Sequence, residues 1–98
     1  MPILDDMLIQ IDSLEQELVE LEQALVRIPS VNTGFMPTGD ETPVCAYIQD
    51  WLAKDSIQSE ILESAPNRGN IIAKLEGASG NEGLLFMSHT DVVPVEDP

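Results

Sequence analysis

A histidine and an aspartate two positions apart, His89 and Asp91, are the residues of this chain best suited to chemistry. They follow the apolar run Leu84–Met87, which predicts a strand buried on both faces because no polar residue interrupts it. Residues i and i+2 of an extended chain point the same way, so both side chains would project together from the strand's end. A carboxylate in this relation commonly orients an imidazole that binds a metal. An isolated His-x-Asp is a weak signal, and the alternative is a structural or surface histidine that an aspartate happens to follow.

A long amphipathic helix is predicted over Ile3–Arg27 by apolar residues that alternate at spacings of three and four. These residues are Leu4, Met7, Ile11, Leu14, Leu18, Leu21, Leu25 and Ile28. The helix either packs on the protein's own sheet or forms a coiled coil with a partner. Ser13-Leu-Glu-Gln16 resembles a capping box and indicates a break between an N-terminal extension and the helix proper.

A second helix is predicted from Thr42, as N-cap, and Pro43 to about Lys54. Its apolar face includes Tyr47 and Trp51, which are interpreted as core residues.

After this helix the period changes to that of strands, over Gln58–Glu63 and Ile71–Leu75, with a turn signal at Asn67–Asn70 between them. Leu84–Ser88 is the third strand and is expected to be the most buried. The predicted fold class is therefore α/β, with two N-terminal helices followed by three strands. A wholly apolar third strand needs neighbours on both faces, so we expect a truncated part of a larger α/β domain. In isolation such a chain is expected to be marginally stable or oligomeric, in the simplest case a homodimer.

Composition excludes several classes of function. The formal net charge of −14 disfavours nucleic acid and anionic membranes as partners, and indicates a solvated acidic surface, an affinity for cations or a salty cellular interior. Cys45 is the one cysteine, so no intrachain disulfide forms, and packing is a better interpretation than a nucleophile. The N-terminus lacks the basic region of a secretory signal and no apolar run reaches the length of a membrane span, which makes cytoplasmic the default expectation.

The segment Ser88–Pro94, Ser-His-Thr-Asp-Val-Val-Pro, resembles the first metal-binding motif of the zinc-dependent aminoacylase/carboxypeptidase family. That family includes acetylornithine deacetylase, succinyl-diaminopimelate desuccinylase, glutamate carboxypeptidase and dipeptidases. The resemblance extends upstream to the loop Leu25–Thr33, to the helix from Glu41 to Leu52 and to the strand Asn70–Gly77. It covers the chain from about Leu18 onward.

The resemblance implies a hydrolase in which two zinc ions, with cobalt as an alternative, activate a water that attacks an amide carbonyl. It implies that His89 is a metal ligand and that Asp91 is the catalytic-site carboxylate that orients it. The substrate would be an N-acyl amino acid or a small peptide. The family's other ligands and its general base would lie beyond Pro98, and Glu96 and Asp97 are too near to be that base. We therefore expect the 98-residue chain alone not to be catalytic.

The resemblance also suggests a domain division. Residues 1–17 form a helical N-terminal extension, and residues 18–98 form the incomplete N-terminal part of the metallohydrolase catalytic domain. The competing hypothesis is a non-enzymatic, acidic helical module that self-associates through the Leu4–Ile28 heptad seam.

Overall fold

The computed structural model describes residues 2–34 and 39–95. Within them the element order is α1 Pro2–Ser13, α2 Glu15–Arg27, α3 Thr42–Ala53, β1 Ser59–Glu63 and β2 Gly69–Ala73. The α/β class predicted from the sequence is confirmed. Part of the loop before α3 and the acidic residues Glu96 and Asp97 lie outside the described residues.

The N-terminal helix is interrupted at Leu14, which separates α1 from α2. The predicted break is confirmed, whereas the predicted capping box is wrong. The Ser13 hydroxyl donates to the carbonyl oxygen of Gln10 at 2.6 Å, and no side chain caps the start of α2. Since Ser13 bonds backward to the preceding turn, α1 ends there and the chain turns before α2 begins. Neither helix contains a buried residue.

The packed centre of the described structure is α3 lying on an antiparallel hairpin of β1 and β2. Ser59 pairs with Ala73 at one end of the hairpin and Glu63 pairs with Gly69 at the other. Val44 and Cys45 of α3 are the buried apolar residues here, with Cys45 fully enclosed. Gly69 permits this close packing, because a Cβ added there would lie 2.7 Å from the Thr42 hydroxyl oxygen.

The second predicted helix has the expected extent but a different start. Glu41, rather than Thr42, occupies the N-cap position, and no side chain caps it. The Thr42 hydroxyl instead donates to a Glu63 carboxylate oxygen at 2.8 Å, which ties α3 to the end of β1. Tyr47, predicted to be core, is 37% exposed, while Trp51 is half-buried.

The predicted third strand, Leu84–Ser88, is not formed, and the expectation that it is the most buried segment is wrong. The side chains from Leu84 to Met87 are between 79% and 86% exposed. A strand with apolar side chains on both sides needs a paired edge and covered faces. The described structure offers one hairpin with one helix on it, so this segment has nothing to pack against. Among the described residues, no helix is long and apolar enough to cross a lipid bilayer.

The buried thiol of Cys45 leads to a prediction about the pH dependence of stability. Burial, followed by the neighbouring Glu41 carboxylate, raises the pKa of Cys45 above the ordinary value for a thiol, which is about 8.5. Between the ordinary and the raised pKa, the unfolded chain has lost the thiol proton while the folded chain keeps it. The contribution of Cys45 to stability is therefore complete below the ordinary pKa and declines as pH rises through this window.

We expect urea unfolding to show a larger loss of stability between about pH 7 and pH 10 for the unmodified chain than for Cys45→Ala. The variant retains every other alkaline titration and serves as the control. Iodoacetamide should react slowly with the folded chain and rapidly in urea. Equal pH dependence in the two proteins would contradict the burial of the thiol.

Candidate functional site

Two segments far apart in sequence form the frame of the candidate site. Val31 and Val92 make a parallel β-bridge, in which the amide of Asn32 donates to the Val92 carbonyl at 2.8 Å. The Val92 amide donates to the Ser30 carbonyl at 3.0 Å, and the buried Ser30 hydroxyl donates to the Thr90 carbonyl at 2.8 Å. These bonds fix the backbone on either side of Asp91.

The structure brings His89 and Asp91 together, although they do not lie at the end of a strand as the sequence analysis expected. His89 Nδ1 lies 2.8 Å from the backbone oxygen of Asp91 and 3.2 Å from its carboxylate Oδ1. Both oxygens are acceptors, so the neutral imidazole carries its proton on Nδ1 and keeps the Nε2 lone pair for another partner. The nearer acceptor is the backbone carbonyl, which the sequence argument did not anticipate. The His89 side chain is 83% exposed, so its free edge is open to solvent.

The Asp91 carboxylate has a second partner that sequence reasoning missed. Asn32 Nδ2 donates to Asp91 Oδ2 at 2.9 Å, on the opposite side of the carboxylate from His89. The Asn32 hydrogen bond, with a smaller contribution from His89, lowers the pKa of Asp91 below its usual range, so the carboxylate is ionised. Asn32 lies in Leu25–Thr33, the segment that resembles a loop of the family. Its position in the sequence does not indicate a contact with Asp91, because that contact depends on the bridge between distant segments.

A cleft of about 230 Å³ is lined by this pair and also by Glu41 and Arg68. Arg68 Nε donates to both carboxylate oxygens of the buried Glu41, at 2.7 and 3.0 Å. The Glu41 amide also donates to the Asn67 carbonyl at 2.9 Å, so the start of α3 is held to the turn between β1 and β2. Gly39 makes room for this ion pair, because an added Cβ would lie 2.5 Å from Arg68 Nε.

The residues of this site could supply one of the ligands of a zinc ion. An imidazole with Nδ1 held by a carbonyl and a carboxylate offers Nε2, which is the arrangement found around zinc-binding histidines. Catalytic zinc takes three protein ligands, and the described residues hold no group of three or more His, Cys, Asp or Glu side chains placed to share a metal ion. Cys45 lines the cleft, but its thiol faces the Gly69 carbonyl at 3.4 Å.

Comparison with known proteins finds relatives that are amide hydrolases by name. The chain is 43% identical over 81 residues to the acetylornithine deacetylase of Vibrio cholerae. It is 33% identical over 79 residues to a probable succinyl-diaminopimelate desuccinylase of Staphylococcus aureus. Each match covers 81% of this chain, but only 21% and 18% of the respective relative, so the chain spans about a fifth of their length. No protein-family model and no solved structure matches the chain.

The described residues contain a buried ion pair, Glu41–Arg68, and an exposed one, Lys74–Glu76. The exposed pair is a matched control for the buried one. Arg68→Met leaves the buried Glu41 carboxylate without its counter-charge, and we expect a loss of about 2–3 kcal/mol in unfolding free energy. Lys74 and Glu76 lie 3.2 Å apart with both side chains more than 70% exposed, and Lys74→Met should cost less than about 0.5 kcal/mol.

Double-mutant cycles that add Glu41→Gln and Glu76→Gln, measured by urea unfolding, isolate the two coupling energies. The Glu41–Arg68 coupling should be the larger. Similar coupling energies for the two pairs would show that the cleft wall does not depend on this ion pair.

Proposed function

We propose that this chain forms part of the catalytic domain of a metal-dependent hydrolase of the aminoacylase/carboxypeptidase family. The bond cleaved would be an amide in an N-acyl amino acid or a small peptide. The observation that carries the proposal is the His89–Asp91 pair, with Nδ1 held and Nε2 presented beside a cleft. The names of the two relatives, a deacetylase and a desuccinylase, support the same reaction class.

In this proposal His89 holds a zinc ion through Nε2. When bound, zinc supplies Lewis-acid polarisation of the scissile carbonyl. Asp91 keeps the imidazole in the Nδ1–H tautomer, and its negative charge makes Nε2 a stronger metal ligand. Because it is ionised and already accepts bonds from Asn32 and His89, its role is orientation rather than proton transfer.

The first test is made on the gene. The reading frame that carries this chain is expressed to its stop codon, and the product is assayed with zinc or cobalt for release of acetate or succinate from N-acylated amino acids. An aspartate followed further downstream by adjacent glutamates would supply the missing ligands and general base. Absence of amide hydrolysis over a panel of N-acyl amino acids and dipeptides would count against the proposal.

Two substitutions in an active product should separate the roles of the pair. His89→Ala should abolish activity and release one metal ion, since a direct ligand is lost. Asp91→Asn should leave the fold intact and lower activity or metal affinity roughly 10- to 100-fold, the usual cost of losing an orienting partner. Asp55→Asn makes the same chemical change at an exposed position and should have no effect. Full activity in His89→Ala would show that the metal lies elsewhere.

The 98-residue chain alone should bind zinc weakly and hydrolyse nothing, because the described residues place one imidazole and its carboxylate partner, His89 and Asp91, at the candidate site. Calorimetric titration with zinc chloride measures this directly. Binding to the acidic surface should fade with added salt. Tight stoichiometric zinc binding that survives His89→Ala would place the metal at other residues.

A further inference from the structure

The side chain of Asn32 bridges the loop after α2 and the candidate site in one defined orientation. Its Oδ1 accepts a bond from the Gly34 amide at 2.9 Å, so the other end of the amide, Nδ2, must be the group that meets Asp91. An amide pinned at its oxygen in this way cannot turn over to present oxygen to the carboxylate. The direction of the Asn32–Asp91 bond is therefore set by the loop itself.

The Asp91 carboxylate has one oxygen committed to each neighbour. Oδ2 accepts from Asn32 at 2.9 Å, and Oδ1 faces His89 Nδ1 at 3.2 Å. Rotation of the carboxylate about its χ2 angle would break the Asn32 bond, because Asn32 is held to Val92 through the backbone as well as to Gly34. While Asn32 holds Oδ2, Oδ1 stays directed at the imidazole.

We propose that Asn32 is a positioning residue that holds the Asp91 carboxylate toward His89, and that this carboxylate acts together with the nearer Asp91 carbonyl oxygen to keep the imidazole in its Nδ1–H form. Its value to metal binding rests on the proposed function, whereas the positioning itself concerns the metal-free chain. Asparagine suits the place because its amide offers an acceptor to Gly34 and a donor to Asp91 together. The substitution Asn32→Asp would keep the acceptor for the Gly34 amide but place a second carboxylate next to that of Asp91.

The test reads the tautomer of His89 directly. His89 is the one histidine in the sequence, so a long-range ¹H–¹⁵N correlation spectrum contains a single imidazole pattern. It is recorded without metal at about pH 8.5, some two units above the ordinary histidine pKa. We expect mainly the Nδ1–H tautomer in the unmodified chain. Asn32→Asp should shift the ring toward the Nε2–H tautomer, which neutral histidine prefers in water.

Asn81→Asp is the matched control, since it makes the same change of amide to carboxylate at an exposed residue and should leave the tautomer unaltered. Backbone amide shifts in α3, β1 and β2 report whether each variant is folded. Should Asn32→Asp unfold, Asn32→Ser decides the matter, because serine still reaches its own turn but is too short to reach Asp91. An unchanged tautomer in a folded Asn32 variant overturns the proposal, because the Asp91 carbonyl oxygen, 2.8 Å from Nδ1, would then be enough to hold the proton. An Nε2–H ring in the unmodified chain overturns it as well.

A zinc titration separates this inference from the proposed function. The part of the zinc affinity that depends on His89 is obtained by subtracting the titration of His89→Ala. It should fall roughly tenfold in Asn32→Ser and be unchanged in Asn81→Asp. A tautomer shift in this chain, with no His89-dependent zinc binding in the product of the full reading frame, would support the positioning role and count against the metal. A tautomer that does not shift overturns the positioning role whatever zinc does.

Discussion

The arrangement of the candidate site depends on the pairing of residues 30–32 with residues 90–92. His89 and Asp91 lie on a segment with no regular secondary structure of its own, and this short parallel bridge gives the segment its backbone conformation. The contacts join residues about 60 positions apart, and closing so long a loop carries an entropic cost. Helix α3 and the β1–β2 hairpin lie within that loop, so their structure shortens the stretch of flexible chain that the pairing has to close.

Polar contacts stabilise the geometry of this small structure, as apolar packing does in larger domains. Val44 and Cys45 are the buried apolar residues of the described structure, while Ser30 and Glu41 are the buried polar ones. Each of the two polar residues is satisfied, Ser30 by the Thr90 carbonyl and Glu41 by Arg68. A buried polar group stabilises a particular geometry only when its partner is in place. The site therefore has a defined shape even though the hydrophobic core beside it is small.

The sequence predicted the local elements well because their signals are local. The apolar period and Pro43 placed α3, and alternation with the Asn67–Asn70 turn placed the hairpin. The sequence also placed His89 on the same side as Asp91, since side chains two positions apart in an extended chain point the same way. It failed at Leu84–Ser88, where strand formation depends on neighbours that periodicity does not reveal. Asn32 was missed for the same reason, because its partner is set by pairing between distant segments.

The turn at Leu14 has a consequence for how the folding of this chain is observed. Helix α1 contacts α2 and buries none of its side chains, and twelve residues are close to the shortest length at which a helix persists in water. Its hydrogen bonds can open without disturbing α3 or the hairpin. The amide protons of α1 therefore exchange with solvent at rates that do not depend on the unfolding of the packed centre. Far-ultraviolet ellipticity counts α1 along with the other helices, whereas the Cys45 thiol reports only the packed centre. In one denaturation experiment, ellipticity therefore includes the loss of α1, whereas the thiol reports the unfolding of α3 and the hairpin.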